Sequence, residues 1–276
     1  MNSLLLSELK SEEKDLLQTL VLLEEYIFQD ELIECQSTAE QPFAFDSLET
    51  IIEQCQAVIS DIESPLEQTE VLLNELYYQH MFIDNHRNIW PIPSFQVATS
   101  LNQRLMSPMV KAVLVDEIIT ACGFETDLVF VPNKVMIRIC CNDQFAIIFD
   151  AVTGESLDWQ DLNLCFDDLV GDPSLHDVET VNRQAILVEH LSLLKSALIN
   201  EQMFDKALLC VDVLLSLNPE DPMQRRDRGF LLHQLDCFKV AVDDYRYFVE
   251  HCPKDPAAQL LKIQLDKITL RDPTFH

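Results

Sequence analysis

Cysteine and histidine are the residues of this chain that could perform covalent or metal chemistry. The 276-residue sequence has nine cysteines and seven histidines. Thiolates and imidazoles bind zinc when they cluster at short spacings, but there is no C-x-x-C pair and the histidines are spread from His80 to His276. The adjacent Cys140 and Cys141 would point to opposite faces of a strand, which makes them poor joint ligands. We therefore expect no metal site and no cofactor.

Three arginines form a second candidate site. Arg225 and Arg228 lie one helical turn apart and Arg226 is next to the first of them. Guanidinium groups at this spacing can bind a carboxylate, so Arg225, Arg226 and Arg228 are the candidate contact for an acidic protein or peptide partner. The alternative is that they form salt bridges with acidic residues of the N-terminal part of the same chain.

One stretch, from Arg104 to Leu157, predicts a helix followed by three strands. Ser107 suits an N-cap, Pro108 suits the first helical position, and Gly123 suits the residue after the helix end. The predicted strands cover residues 128–131, 135–141 and 145–150, the last two joined by a polar turn at 142–144. The helix would bury one face and leave the other polar. The apolar face consists of Val110, Val113, Leu114, Ile118 and Ile119, and the polar face of Lys111, Asp116 and Glu117.

This stretch resembles the transglutaminase-like core of the bacterial SirB-type family, in which tetratricopeptide repeats follow that core. The resemblance lies in R-x-x-S-P at the helix start, in VPNKVMIRI and in FDAVTGESL. It implies a papain-like site with a cysteine at the helix N-terminus, a histidine base on one strand and an orienting aspartate on the next. By position these three places fall at Pro108, Lys134 and Asp150, so the resemblance implies that only the aspartate is retained. His80 and His86 lack the strand context that such a base needs.

Composition and charge restrict the remaining possibilities. The formal charge is −28, with 19 acids and 3 bases in residues 1–100, 14 and 4 in residues 101–180, and 14 and 12 in residues 181–276. Such an acidic chain repels phosphate backbones and anionic lipid, so we expect neither nucleic acid nor membrane as a partner. The odd cysteine count and the absence of a signal-like or membrane-spanning run predict a cytoplasmic protein.

The N-terminal third predicts three helices. The first covers residues 11–36, the second begins after a capping box formed by Asp46 and Glu49, and the third begins after Ser64. Pro91 and Pro93 then predict an extended connection to the central helix. Asp158 and Asp161 predict a short helix that ends near Leu169, and a linker is expected at residues 174–180.

The C-terminal part contains a repeat with a period of 34 residues, which is the period of tetratricopeptide units. Residues 255–270 would form the helix that caps the array. The matched pairs are Leu198 with Leu232, Phe204 with Phe238, Ala207 with Ala241, and Pro219 with Pro253.

The predicted fold class is therefore α+β and mostly α. We expect a transglutaminase-like domain at residues 1–178, comprising a helical lobe at 1–100 and a helix with antiparallel strands at 101–170. An all-α repeat domain would follow at 181–276.

Two functions remain open. The favoured one is a non-catalytic interaction or regulatory scaffold of undefined oligomeric state. The alternative is a cysteine-dependent amide-bond hydrolase or transferase with a rearranged site. A direct role in gene expression, suggested only by the family, conflicts with the charge.

Overall fold

The computed structural model describes residue 9 and residues 15–29, 43–131, 134–142, 145–157 and 180–271. The backbone forms two compact units, one made of residues 11–190 and the other of residues 1–10 with 191–276. The border falls within one long helix, Arg183–Asn200. The predicted domain border between residues 178 and 181 stays a prediction.

The first unit begins with helices that precede the sheet. They are α1 (Leu16–Ile27), α2 (Phe43–Ile59), α3 (Pro65–Asn74) with a π-helical extension (Glu75–Gln79), a 3-10 turn (Ile92–Phe95) and α4 (Val97–Gln103). Ser64 caps α3 as predicted. Since α2 begins at Phe43, Asp46 lies inside this helix and the predicted capping box is wrong. Within the range predicted for the first helix, residues 11–36, α1 begins after its N-cap Asp15 and ends before its C-cap Phe28, and residues 11–14 and 30–36 lie outside the described residues.

The central helix, α5 (Pro108–Ala121), has the predicted start, and Gly123 follows it with φ +94°. It packs against α1 and α2 and against the first two strands. Its predicted polar face is wrong at Lys111, which is fully buried. Neighbours on several sides enclose the helix, so a simple two-face pattern does not describe it. The buried residues of α5 are Met109, Val110, Lys111, Ala112, Val113, Leu114, Val115, Ile118 and Ile119.

Four antiparallel strands form a meander in chain order. The predicted strands are confirmed as β1 (Glu125–Val131), β2 (Lys134–Asn142) and β3 (Phe145–Asp150), and a short β4 (Ser156–Leu157) follows. The register places Met136 of β2 opposite Asp150 of β3. A core cluster of Val129, Val131, Met136 and Ile148 therefore lies next to the end of β3.

The second unit is helical. After α6 (Arg183–Asn200) come α7 (Phe204–Leu217), α8 (Pro222–Gln234), α9 (Phe238–His251) and α10 (Pro256–Arg271). Consecutive helices from α7 to α10 pack on one another, as expected for a repeat array. The predicted last helix is confirmed as α10. The predicted helix at residues 158–169 and most of the linker at 174–180 lie outside the described residues.

Candidate functional site

The N-terminus of α5 is the place where the resemblance puts a nucleophile. Pro108 occupies the first helical position, so no thiol is available there. The preceding Ser107 is buried, and its backbone N–H donates to the Ser94 carbonyl over 2.8 Å. Its hydroxyl is buried without a hydrogen-bond partner among the described residues. A buried hydroxyl of this kind is not open to substrate.

Asp150 ends β3 and is only 1% exposed. Its Oδ1 accepts hydrogen bonds from the backbone N–H groups of Val152 at 2.8 Å and Thr153 at 3.4 Å. The backbone then turns at Gly154, whose N–H donates to the Asp150 carbonyl over 2.8 Å. The turn after β3 therefore fixes the carboxylate in place.

Two side chains meet at the other oxygen of Asp150. His86 Nε2 lies 2.8 Å from Asp150 Oδ2, and Lys134 Nζ lies 3.1 Å from the same atom. Burial opposes ionisation of Asp150, but hydrogen bonds from His86, Val152 N–H and Lys134 outweigh it, so the pKa of this carboxyl lies below its usual value. The contact between Lys134 and Asp150 is an ion pair that joins β2 and β3. The contact with His86 was not predicted.

His86 reaches Asp150 from an irregular segment 64 residues earlier in the chain. Backbone hydrogen bonds hold this segment, from Phe82 N–H to the Leu76 carbonyl at 3.1 Å and from Asp84 N–H to the Val152 carbonyl at 3.2 Å. Sequence reasoning missed His86 because it required the base to lie on a strand. The polar, proline-flanked stretch around it carries no local signal for a contact with β3.

Lys111 connects the same elements from inside. Its Nζ donates to the carbonyl of Phe82 at 2.7 Å and to that of Val152 at 3.2 Å. Burial lowers the pKa of this amine to about 8, despite the attraction of Asp84 and Asp150. Lys111 thus holds α5 against both the His86 segment and the turn that follows Asp150.

Tyr77 supports the turn from its other side. Its hydroxyl donates to the Ala151 carbonyl over 2.8 Å, and its ring contacts Phe149 edge to face. The ring also lies against Gly154, where an added Cβ would approach its carbon atoms to 2.5 Å. Gly154 also has φ +76°, a backbone conformation that favours glycine independently of the contact with Tyr77.

His80, the other histidine considered, does not join this group. Its Nε2 lies 3.7 Å from Glu75 Oε1, and burial lowers the pKa of its imidazole. The candidate site therefore consists of Asp150, His86 and Lys134, with Lys111 behind them. A histidine held by a buried carboxylate is suited to general acid–base chemistry, but it needs a nucleophile to act on.

Two of the described thiols, Cys122 and Cys140, are poorly placed for that role. Cys122 lies just past the end of α5, about 21 Å along the axis from Pro108 at 1.5 Å per residue. Cys140 lies on β2 four residues from Met136, the residue opposite Asp150, which is about 13 Å along the strand. Burial raises the pKa of Cys122 to about 11, and burial with nearby acidic groups raises that of Cys140. Cys35 and Cys165 lie outside the described residues.

The three arginines lie on α8 and are engaged within their own unit. Arg228 contacts Asp244 of α9 through Nε at 2.7 Å, and Arg225 reaches the same carboxylate at 3.4 Å. Arg226 pairs with its neighbour Asp227 at 2.8 Å. Asp244 is buried and forms the centre of this network. Salt bridges were expected for these arginines, but the acidic partners in these contacts belong to the repeat unit itself.

Among the described residues, none of the helices has the length and apolar character needed to cross a bilayer.

Comparison with known proteins divides the chain in the same order as the two units. The family model "Transglutaminase-like superfamily" matches residues 44–192, and the model "Tetratricopeptide repeat" matches residues 194–266. No solved structure matches the chain.

Three bacterial relatives show the extent of the similarity. Protein SirB1 of Salmonella typhimurium is 30% identical over 241 residues, 85% of this chain and 88% of that protein. UPF0162 protein YchA of Escherichia coli is 29% identical over 84% of this chain and 87% of its own length. A UPF0162 protein of Vibrio cholerae is 47% identical over 92 residues, which span 33% of this chain and 34% of that protein.

Proposed function

Since this chain belongs to the transglutaminase-like superfamily, and within it to the bacterial family of SirB1 and YchA, we propose that it is a non-catalytic scaffold. In this proposal the transglutaminase-like core keeps its structural role and has lost thiol chemistry. The repeat unit supplies protein–protein contacts, which is the general use of tetratricopeptide repeats. The protein acts in the cytoplasm, a location that its odd number of cysteines supports.

The observation that carries the proposal is the ion pair between Lys134 and Asp150. In a papain-like site a histidine base occupies the strand position that Lys134 has here. The aspartate of the next strand orients that histidine. Here the amine of Lys134 forms an ion pair with the buried carboxylate over 3.1 Å, and no imidazole occupies that position to accept a proton from a thiol. With Pro108 at the helix start, the positions that the resemblance assigns to the nucleophile and the base hold neither a cysteine nor a histidine.

A second candidate function rests on the contact between His86 and Asp150. An imidazole 2.8 Å from a buried carboxylate supplies two of the three members of a catalytic triad. Here the histidine comes from a different segment of the chain than in the family site. If a thiol approached His86, the chain would be an amide-bond hydrolase or transferase with a rearranged site. The raised pKa values of Cys122 and Cys140 and their distances along α5 and β2 argue against those two thiols.

The proposed partner is a protein with an acidic contact surface. The positive charges of Arg225, Arg226 and Arg228 are concentrated on α8, in a chain with a formal charge of −28. Because Asp244 already binds two of them, Arg226 is the arginine to reverse without disturbing that buried carboxylate. Arg226 pairs only with its neighbour Asp227 among the described carboxylates.

The experiment is affinity capture with the full-length protein as bait, compared with the Arg226→Glu variant. We expect to capture a protein that binds the native bait in stoichiometric amounts, rebinds it after purification and binds the variant more weakly. Lys254→Glu, an equal charge reversal at an exposed position of the same unit, is the control. If both variants bind the purified partner as the native protein does, the arginine surface is not the contact. Turnover of an amide substrate by the native protein would instead support the enzyme.

A further inference from the structure

Glu24 of α1 is a partly buried carboxyl group that bonds to the start of another helix. Its Oε2 accepts a hydrogen bond over 2.8 Å from the backbone N–H of Val97, 73 residues later in the chain. Val97 is the first residue of α4, and the N-cap residue Gln96 makes no side-chain hydrogen bond to this helix. Glu24 therefore supplies, from a distant helix, the acceptor that an N-cap residue usually provides.

The charged groups on the two nearest helices do not neutralise Glu24. Helix α1 packs against α4 and α5. Glu25, the next residue of α1, is also acidic. Helix α4 contains no titratable residue between Val97 and Gln103, and the guanidinium of Arg104 after it lies 5.5 Å from the centre of the Phe82 ring. In the described part of the chain, Glu24 forms no ion pair with a lysine, arginine or histidine.

The charged groups that α5 and α6 place near α1 are acidic or have other partners. Asp116 and Glu117 of α5 are acidic and interact with Asp15, the N-cap of α1. The Lys111 amine donates to two backbone carbonyls, and Arg183 of α6 donates to a hydroxyl of α1. Ionised Glu24 is therefore a partly buried negative charge that one backbone N–H stabilises.

This environment changes the proton affinity of Glu24. Burial raises the pKa of its carboxyl from the ordinary 4.5 to about 7, although the hydrogen bond from Val97 opposes the rise. When α1 is packed in place, Glu24 therefore binds more protons between these two values than it does when α1 is detached and solvated. The resulting stabilisation of the packed form is complete below about pH 4.5 and is lost as the pH rises through about 7.

Helix α4 connects this contact with the start of α5. The Ser94 carbonyl accepts hydrogen bonds from the Ser100 hydroxyl of α4 at 2.9 Å and from the Ser107 backbone N–H at 2.8 Å. Ser107 is the N-cap residue of α5. One carbonyl thus fixes α4 and the first turn of α5 together, and Glu24 holds the opposite end of α4.

We propose that Glu24 is a pH-sensitive latch between α1 and α4, closed when the carboxyl group is protonated and loosened when it ionises near neutral pH. The protonated group still has a carbonyl oxygen that accepts the hydrogen bond from Val97, and no charge has to be buried. The ionised group keeps this hydrogen bond but is partly removed from water without a cation, which is costly. Helix α1 should therefore detach from α4 more often as the pH rises.

The test is hydrogen exchange of the full-length protein at pH 6 and pH 8, with Glu24→Gln as the variant. Glutamine keeps an acceptor for Val97 and carries no charge at either pH. After correction for intrinsic exchange rates, the opening constant of α1 in the native protein should be about tenfold larger at pH 8 than at pH 6. In Glu24→Gln it should be the same at both. Glu25→Gln, at the exposed neighbouring position, is the control and should keep the native pH dependence.

The titration of the native protein provides a second readout that does not depend on a variant. The ¹³C signal of the Glu24 carboxyl carbon should titrate near pH 7. Titration near the ordinary 4.5 would overturn the proposal. An opening constant of α1 that does not change between the two pH values, or that changes as much in Glu24→Gln as in the native protein, would also overturn it.

Discussion

The His86 imidazole lies 2.8 Å from the buried carboxylate of Asp150, although 64 residues separate the two in the chain. Lys134 shares the same carboxylate oxygen at 3.1 Å. Asp150 thus joins three parts of the transglutaminase-like unit, namely the irregular segment around His86, the start of β2 and the turn after β3. In this account its role is to hold them together.

The first prediction concerns Asp150→Asn. The amide keeps one acceptor and loses the charge that Lys134 and His86 share, so the free energy of unfolding should fall by about 1–3 kcal/mol. Lys134→Met removes one partly exposed partner and should cost less than about 1 kcal/mol. Urea unfolding of both variants measures the two changes. A larger loss for Lys134→Met than for Asp150→Asn would contradict the role given to the carboxylate.

The same variant has a pH signature. Because the pKa of Asp150 is lowered in the folded protein, its stabilising effect is present above the unfolded pKa, about 3.9, and is lost as pH falls through the folded value. The free energy of unfolding of the native protein should therefore stay above that of Asp150→Asn until the pH falls below about 4. An advantage that disappears between pH 5 and pH 7 would show that another group is responsible.

The second prediction uses the buried amine of Lys111. Its folded pKa of about 8 lies below the ordinary 10.5, so between these values the unfolded chain binds more protons and stability rises with pH. The free energy of unfolding of the native protein, relative to that of Lys111→Met, should rise by about 1–2 kcal/mol between pH 8 and pH 9.5. Unfolding of both proteins at the two pH values tests this. A constant difference would indicate that the amine keeps an ordinary pKa.

The third prediction compares two glycines that both have positive φ. At Gly154 an alanine Cβ would meet the Tyr77 ring at 2.5 Å, whereas at Gly123 no atom lies within 4 Å of that position. Gly123→Ala should cost about 1–2 kcal/mol from the backbone conformation alone. Gly154→Ala should cost at least about 3 kcal/mol, since overpacking adds to it. Equal losses in thermal or urea unfolding would rule out the close packing of Tyr77 on this turn.

The fourth prediction compares adjacent aspartates of α9. Asp244 has a side chain only 2% exposed and binds Arg225 and Arg228, whereas the Asp243 side chain is 76% exposed and faces Arg246. Asp244→Asn should destabilise the repeat unit by about 1–3 kcal/mol, because it leaves two guanidinium groups without their buried partner. Asp243→Asn should change the unfolding free energy by no more than about 0.5 kcal/mol. A larger loss of unfolding free energy for Asp243→Asn than for Asp244→Asn would contradict the stabilising role of the ion pairs around Asp244.

Much of the fold could be predicted because its signals are local. Pro108 and Gly123 mark the ends of α5 by their own backbone preferences, although the Ser107 hydroxyl makes no capping hydrogen bond. Enrichment in β-branched and aromatic residues marks β1 to β3. The 34-residue period likewise indicated the repeat unit, since each hairpin repeats the packing of the one before it.

The errors arose where contacts are distant in sequence. Lys111 occupies a position that looks polar on a helical wheel, but it is buried because the Phe82 and Val152 carbonyls accept hydrogen bonds from its amine. His86 has no periodicity around it, and only the folded turn after β3 brings Asp150 within reach.

The central claim is that no cysteine of this protein acts as a nucleophile. Burial is the main reason why the pKa is raised to about 12 for Cys55 and Cys210 and to about 11 for Cys122. These three thiols should therefore be largely protonated at neutral pH. The measurement is the rate of labelling by a thiol-directed probe at neutral pH. It is made on the native protein, on the nine single Cys→Ser variants and on His86→Gln and Asp150→Asn.

We expect that no cysteine reacts faster than an ordinary exposed thiol, and that neither His86→Gln nor Asp150→Asn slows any labelling rate. One cysteine labelled far faster than the others, at a rate that falls in both of those variants, would contradict the account and identify the nucleophile of an active enzyme.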